Sequence, residues 1–136
     1  MSRIGEAFAR RRREGGKAFV AFLTAGDPSL ERTVEAAGEM EAAGVDVLEL
    51  GVPFSDPLAD GPVIQRASDR ALRRGTTLAR VLDAARAIRA QSALPLLLFT
   101  YFNPLLRHVP DRVAREAADG ARLAAASTHA ETESRR

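Results

Sequence analysis

The sequence contains no cysteine, no tryptophan, a single tyrosine and only two histidines in its 136 residues. Without cysteine there are no disulfides, no thiolate metal sites and no thiol nucleophile. His108 and His129 are too few for a metal cluster, so no metal site is expected. Lys17 is the sole lysine, and twenty basic residues against eighteen acidic ones leave a formal charge of +2. A charge that small gives no ground for nucleic-acid binding. No apolar run approaches the roughly 20 residues needed to cross a bilayer. The arginines near the N-terminus lack the apolar stretch of a signal peptide behind them. A cytoplasmic protein with no membrane association is expected. The 46% hydrophobic content is that of an ordinary globular domain.

What is present is alternation. Ala18–Ala25 is an apolar run closed by Gly26-Asp27-Pro28, and it reads as a first strand buried on both faces. Ser29 can cap a helix carrying Val34, Ala37, Met40 and Ala43 up to Gly44. Val45–Gly51 is a second strand, and Pro53–Pro62, with three prolines and two aspartates, is a loop. Ile64–Leu72 and a segment capped by Thr76 or Thr77 read as helices. Leu94–Phe102 is a third strand, ended by Asn103-Pro104, and Asp111 would cap a further helix. Before the first strand, Arg10–Arg13 reads as the solvated face of a short helix whose Ile4 and Phe8 turn inward. Strands alternating with helices indicate a parallel α/β fold. After Gly120 the alternation stops. Ala121–Arg136 is alanine-rich and then polar, and reads as an unrelated tail without a strand.

The chemistry-bearing residues lie between Val45 and Gln65. Val47, Glu49 and Gly51 share one strand face, while Leu48 and Leu50 share the other. Glu49 thus stands near the C-terminal end of a buried strand, where parallel α/β folds place their ligand sites. Burial there would raise its pKa toward general acid/base use; a salt-bridged structural glutamate is the alternative. The loop adds Asp56 and Asp60. Two carboxylates at one cavity can divide the work, one titrating and one staying charged. Aspartates in such a loop, and Asp27 as well, can equally serve only to make turns.

The run LELGVPFSDPLADGPVIQRA, preceded by FLTAGDP and followed by RALRRGTT and FTYFNP, closely resembles the tryptophan synthase alpha family over about residues 2–120. The resemblance implies a (β/α)8 TIM barrel that cleaves indole-3-glycerol phosphate to indole and glyceraldehyde 3-phosphate. It implies Glu49 as the general acid/base, and Asp60 as the carboxylate that accepts the indole N–H and stabilises its positive charge. Phe22 and Tyr101 match positions lining the indole pocket, with ordinary core aromatics as their alternative. Pro53–Asp60 corresponds to a loop that closes over substrate and meets the beta subunit, with Asp56 as an inter-subunit contact. The family partner is that beta subunit in an alpha2-beta2 tetramer. Pyridoxal phosphate belongs to the beta subunit, so this chain is expected to hold no cofactor.

A full barrel needs eight strands and roughly 250 residues. Only about the first three βα units are recognisable here, so the fold class expected is a partial barrel over residues 1–120, followed by the tail 121–136. We hypothesise a truncated gene, frameshifted near Asp119. In the family the substrate phosphate is held by loops after later strands. The alternative function is therefore a truncated, non-catalytic fragment that at most binds the beta subunit. With half a barrel, the face bearing Phe22 or Val47 would meet water.

Overall fold

The computed structural model describes residues 2–107 and 122–126. In chain order it contains α1 (Arg3–Arg13), β1 (Val20–Thr24), α2 (Leu30–Ala42), β2 (Val47–Gly51), α3 (Pro62–Arg73), α4 (Leu78–Gln91), β3 (Leu96–Tyr101), the short α5 (Phe102–Arg107) and β4 (Arg122–Ala126). The strands form one parallel sheet in the order β1-β2-β3-β4. This is a partial TIM barrel.

Local signals explain most of the element boundaries. The Ser29 hydroxyl accepts from the Arg32 N–H at 3.2 Å and starts α2. Of the two threonines before α4, Thr77 is the cap, accepting from Arg80 N–H at 3.3 Å, whereas Thr76 is buried. Gly44 and Gly75 follow α2 and α3 with positive φ, +93° and +77°, the left-handed turn that glycine adopts without strain. β3 ends one residue earlier than expected. Phe102 opens α5, which places Pro104 in a first helical turn, where a missing N–H costs nothing.

One side of the sheet is covered. Leu48, Leu50 and Leu98 are fully buried with Val81, Leu82 and Ile88 of α4, and α2 packs on α4. The other side is part open. Phe22 is 37% exposed, as half a barrel predicts, but Val47 is only 1% exposed. The expectation that β1 is buried on both faces is corrected. Phe19, Val20 and Phe22 are all exposed, because β1 is an edge of the described sheet.

Two further corrections concern the ends of the chain. Arg122–Ala126 forms β4, although this segment was expected to carry no strand. It aligns with β3 from Leu97↔Arg122 to Tyr101↔Ala126. Alanine has little β propensity of its own, so the pairing edge of β3 overrides the local sequence. In α1 the buried residue is Ala7, while Phe8 is 45% exposed. The helix turns Arg10 and Arg11, three and four residues after Ala7, toward the buried carboxylate of Asp46. These arginines are therefore more than a solvated face. The helix expected after Asp111 lies outside the described residues.

No helix among the described residues is long and apolar enough to cross a membrane. No group of three or more His, Cys, Asp or Glu side chains among them could hold a metal ion.

Candidate active site

The register of the sheet sets the site. Phe22, Glu49 and Leu97 are aligned across β1, β2 and β3, and the next row on the same face is Thr24, Gly51 and Phe99. Tyr101 continues that face on β3. Glu49 is half-buried among apolar neighbours, and it has no hydrogen-bond or ion-pair partner among the described residues. The salt-bridged alternative for Glu49 thus finds no cation there.

The row above it forms a small cleft open to solvent. Phe22, Thr24, Gly51, Val52, Asp60, Ile64, Ser68, Phe99 and Tyr101 line it. Gly51 makes room for this arrangement. A Cβ at that position would lie on the Phe22 ring, 2.8 Å from Cε2 and closer still to Cζ. The Phe22 ring therefore lies directly over the Gly51 backbone. Phe22 also meets Phe99 edge-on, with ring centroids 6.3 Å apart and planes at 87°, the arrangement that ring quadrupoles favour.

Tyr101 joins the sheet to the loop. Its hydroxyl donates to Asp60 Oδ2 at 3.2 Å and accepts from the Ala59 N–H at 3.0 Å. Its ring packs on Phe54 with centroids 5.1 Å apart. Burial pushes the Tyr101 phenol above its ordinary pKa, and the negative charge of Asp60 adds to that rise, while the Ala59 N–H works against it. The aromatic positions expected to line an indole pocket, Phe22 and Tyr101, do line this cleft, and so does Asp60. Glu49 does not; it sits one row deeper on the same face. Pro53 is buried, whereas Asp56 is exposed. Within the loop, only Asp56 of that pair presents its side chain to solvent.

Three features escaped the sequence reading. Gln65, on the first turn of α3, donates through Nε2 to Asp60 O at 2.9 Å and to Pro57 O at 3.3 Å. Asp27 does occupy a turn, but it also accepts both Arg70 Nε and Nη2, at 2.9 and 2.7 Å. Arg70 holds the Asp27 carboxyl below the usual carboxylate range. At the opposite end of β2, Asp46 is buried beneath Arg10 and Arg11. An aspartate at the mouth of an apolar strand, with a run of arginines on α1, was the available signal for this last one.

With this geometry in place, comparison with known proteins is decisive. The model of the family described as Tryptophan synthase alpha chain matches residues 8–122. This chain belongs to that family. Among curated relatives, a tryptophan synthase alpha chain from Solibacter usitatus is 54% identical over 131 residues, covering 93% of this chain and 49% of the relative. Another from Xanthomonas axonopodis pv. citri is 52% identical over 118 residues, with 86% and 44% covered. Among solved structures, tryptophan synthase subunit alpha from Legionella pneumophila superposes with a TM-score of 0.86 at 40% identity, over 89% of this chain and 47% of that one. Tryptophan synthase from M. tuberculosis, in an aminoacrylate-bound form, gives 0.85 at 35% identity, over 93% and 51%. The chain spans about half the length of the tryptophan synthase alpha chains it matches.

Proposed function

We propose that this chain carries the acid/base end of a tryptophan synthase alpha-type lyase. The reaction is the retro-aldol cleavage of indole-3-glycerol phosphate to indole and glyceraldehyde 3-phosphate, in L-tryptophan biosynthesis in the cytoplasm. One arrangement supports this reading above all. Asp60, fixed by the Tyr101 hydroxyl, faces a cleft walled by Phe22 and Phe99, and Glu49 stands on the same sheet face one row below.

In this reading the planar, apolar indole lies against Phe22 and Tyr101. Glu49 gives a proton to the ring carbon that bears the glycerol chain, so the ring nitrogen becomes cationic. Asp60 accepts the indole N–H and favours that state electrostatically. The C–C bond then breaks, its electron pair returning to the ring. The neighbouring hydroxyl loses its proton to a base as the aldehyde carbonyl forms. These steps need no cofactor in this chain; pyridoxal phosphate belongs to the beta subunit. Asp56, exposed on the loop that Pro53 anchors, is the residue that would meet the beta subunit.

The second reading is a non-catalytic chain that at most binds the beta subunit, and it rests on the exposed Asp56 of the loop alone. Indole release from indole-3-glycerol phosphate by purified chain, with and without a beta subunit, separates the two. Turnover that Glu49→Gln abolishes is the result expected of the lyase. Absence of turnover from folded protein, with retained beta-subunit binding, would establish the second reading.

A further inference from the structure

We propose that Gln65 is a positioning residue for Asp60, clamping the loop from α3 while Tyr101 clamps it from β3. The inference rests on the reading of Asp60 as the carboxylate that faces substrate.

Every polar group of Asp60 except one carboxylate oxygen is held. Its carbonyl accepts from Gln65 Nε2 at 2.9 Å. Its N–H donates to Pro57 O at 3.0 Å, and Pro57 O also accepts from Gln65 Nε2 at 3.3 Å. The turn Pro57–Asp60 is thus closed on itself, and its first and last carbonyls rest on one primary amide. A primary amide suits that task, because one nitrogen carries two donors. On the far side the Tyr101 hydroxyl takes the Ala59 N–H and gives its own proton to Asp60 Oδ2. Asp60 Oδ1 accepts no hydrogen bond among the described residues. It is the oxygen left for an incoming N–H. A main chain held from two elements fixes where that oxygen points before substrate arrives, which is how a carboxylate gains electrostatic leverage.

The chain provides its own probe, because Tyr101 is its only tyrosine and there is no tryptophan. The tyrosinate absorbance of the whole chain therefore reports Tyr101 alone. Asp60→Asn removes the charge that helps to raise the phenol, so its midpoint falls. Gln65→Met breaks the α3 side of the clamp at constant side-chain length. The carboxylate then swings away and the ring gains solvent, both lowering the midpoint. Loss of the Ala59 N–H acts in the opposite sense, but burial is the larger influence on this phenol. The expected result is that Gln65→Met lowers the midpoint by at least half as much as Asp60→Asn, and that the double variant moves further than Asp60→Asn alone but by less than the sum of the two single shifts, because the charge contribution is shared.

Gln65→Glu is the second variant. An acid in the first turn of a helix favours the fold, yet its oxygens repel the two carbonyls. In both Gln65 variants, hydrogen exchange at the Ala59 amide is expected to quicken about tenfold or more. A midpoint that stays at the wild-type value in Gln65→Met, shifts that add fully in the double variant, or unchanged exchange at Ala59 would each overturn the clamp. None of these measurements needs substrate. An inactive chain with the expected titration would defeat the lyase reading alone, and an active chain with an unmoved titration would defeat the clamp alone.

Discussion

Replacing Asp46 with alanine should unfasten α1 from the sheet. The Asp46 side chain is 2% exposed. It accepts from Arg10 Nη2 at 2.8 Å, from Arg11 Nε at 2.8 and 2.9 Å, and from the Phe19 N–H at 2.9 Å. The Asp46 N–H in turn donates to Phe19 O at 2.9 Å, so this residue ties the entrances of β1 and β2 to each other as well as to α1. Loss of the charged, part-buried bond to the Phe19 N–H is worth about 1.5–3 kcal/mol. The guanidiniums reach solvent and are left out of the sum. A loss of about 1.5–3 kcal/mol corresponds to a fall in Tm of roughly 5–12 °C for a chain of this size. Urea unfolding followed by circular dichroism would measure it, with an unchanged m-value showing that the same surface unfolds. The acid limb gives an independent check. The Phe19 N–H above all, and then Arg11 and Arg10, hold the Asp46 carboxyl below its usual pKa against the pull of burial. Its folded pKa lies below the unfolded value of about 3.9, so its stabilisation is complete above that pH and drains away as pH falls through the folded value. Asp46→Ala should flatten the stability curve in that window. A loss smaller than about 0.5 kcal/mol, in the range of an ordinary surface substitution, would refute the reasoning.

Four other substitutions test the remaining features. Gly51→Ala places a methyl 2.8 Å from Phe22 Cε2; the half-exposed ring should swing toward solvent at a cost of about 1–3 kcal/mol, seen as lost Phe22–Phe99 contacts in nuclear Overhauser spectra. Gly26→Ala forces a side chain onto φ +88° and within 2.9 Å of Thr76 Cγ2, so thermal unfolding should drop by more than the about 1–2 kcal/mol of left-handed strain alone. Asp27→Asn should remove part of the stability lost on acidification below about pH 4, since Arg70 depresses the Asp27 pKa in the folded chain. Glu49→Gln should leave thermal stability close to wild type while cutting indole release by about 10²–10⁴-fold, the usual range for a general acid/base.

The parts of the fold that were legible are those where one residue type carries the signal alone. Ser29 and Thr77 cap their helices because a short hydroxyl side chain reaches the N–H three residues on. Face assignment on β2 followed from the period of two. The misreadings came where a partner distant in sequence decides. Phe8 looks inward by hydrophobicity, yet α1 presents Arg10 and Arg11 to the sheet because Asp46, more than thirty residues away, is buried there. β4 was invisible because Arg122–Ala126 has no β-branched residue, and only the edge of β3 makes it a strand. At the site, motifs placed Phe22, Asp60 and Tyr101 together, but they could not show that Tyr101 binds Asp60 itself. That contact depends on how the loop folds back. Gln65 was missed for the same reason, since its partners are main-chain carbonyls, which sequence does not distinguish.

The two faces of the sheet divide stability from chemistry. Leu48, Leu50, Leu96 and Leu98 point to the helices and are at most 3% exposed. The opposite face carries Phe22, Glu49, Gly51, Phe99 and Tyr101, with the cleft at its open end. Because successive residues alternate between faces, Glu49 is flanked in the chain by two residues that pack, Leu48 and Leu50. A substitution at Glu49 therefore removes no core contact on the helix side, whereas Leu48→Ala would cost about 2–5 kcal/mol through the cavity it leaves. The same alternation sets a limit on what the site can tolerate. A one-residue slip of β2 would carry Glu49 into the leucine core and both leucines to the cleft. Register at Phe22↔Glu49↔Leu97 is thus fixed by packing, and the position of the acid follows from the burial of its neighbours.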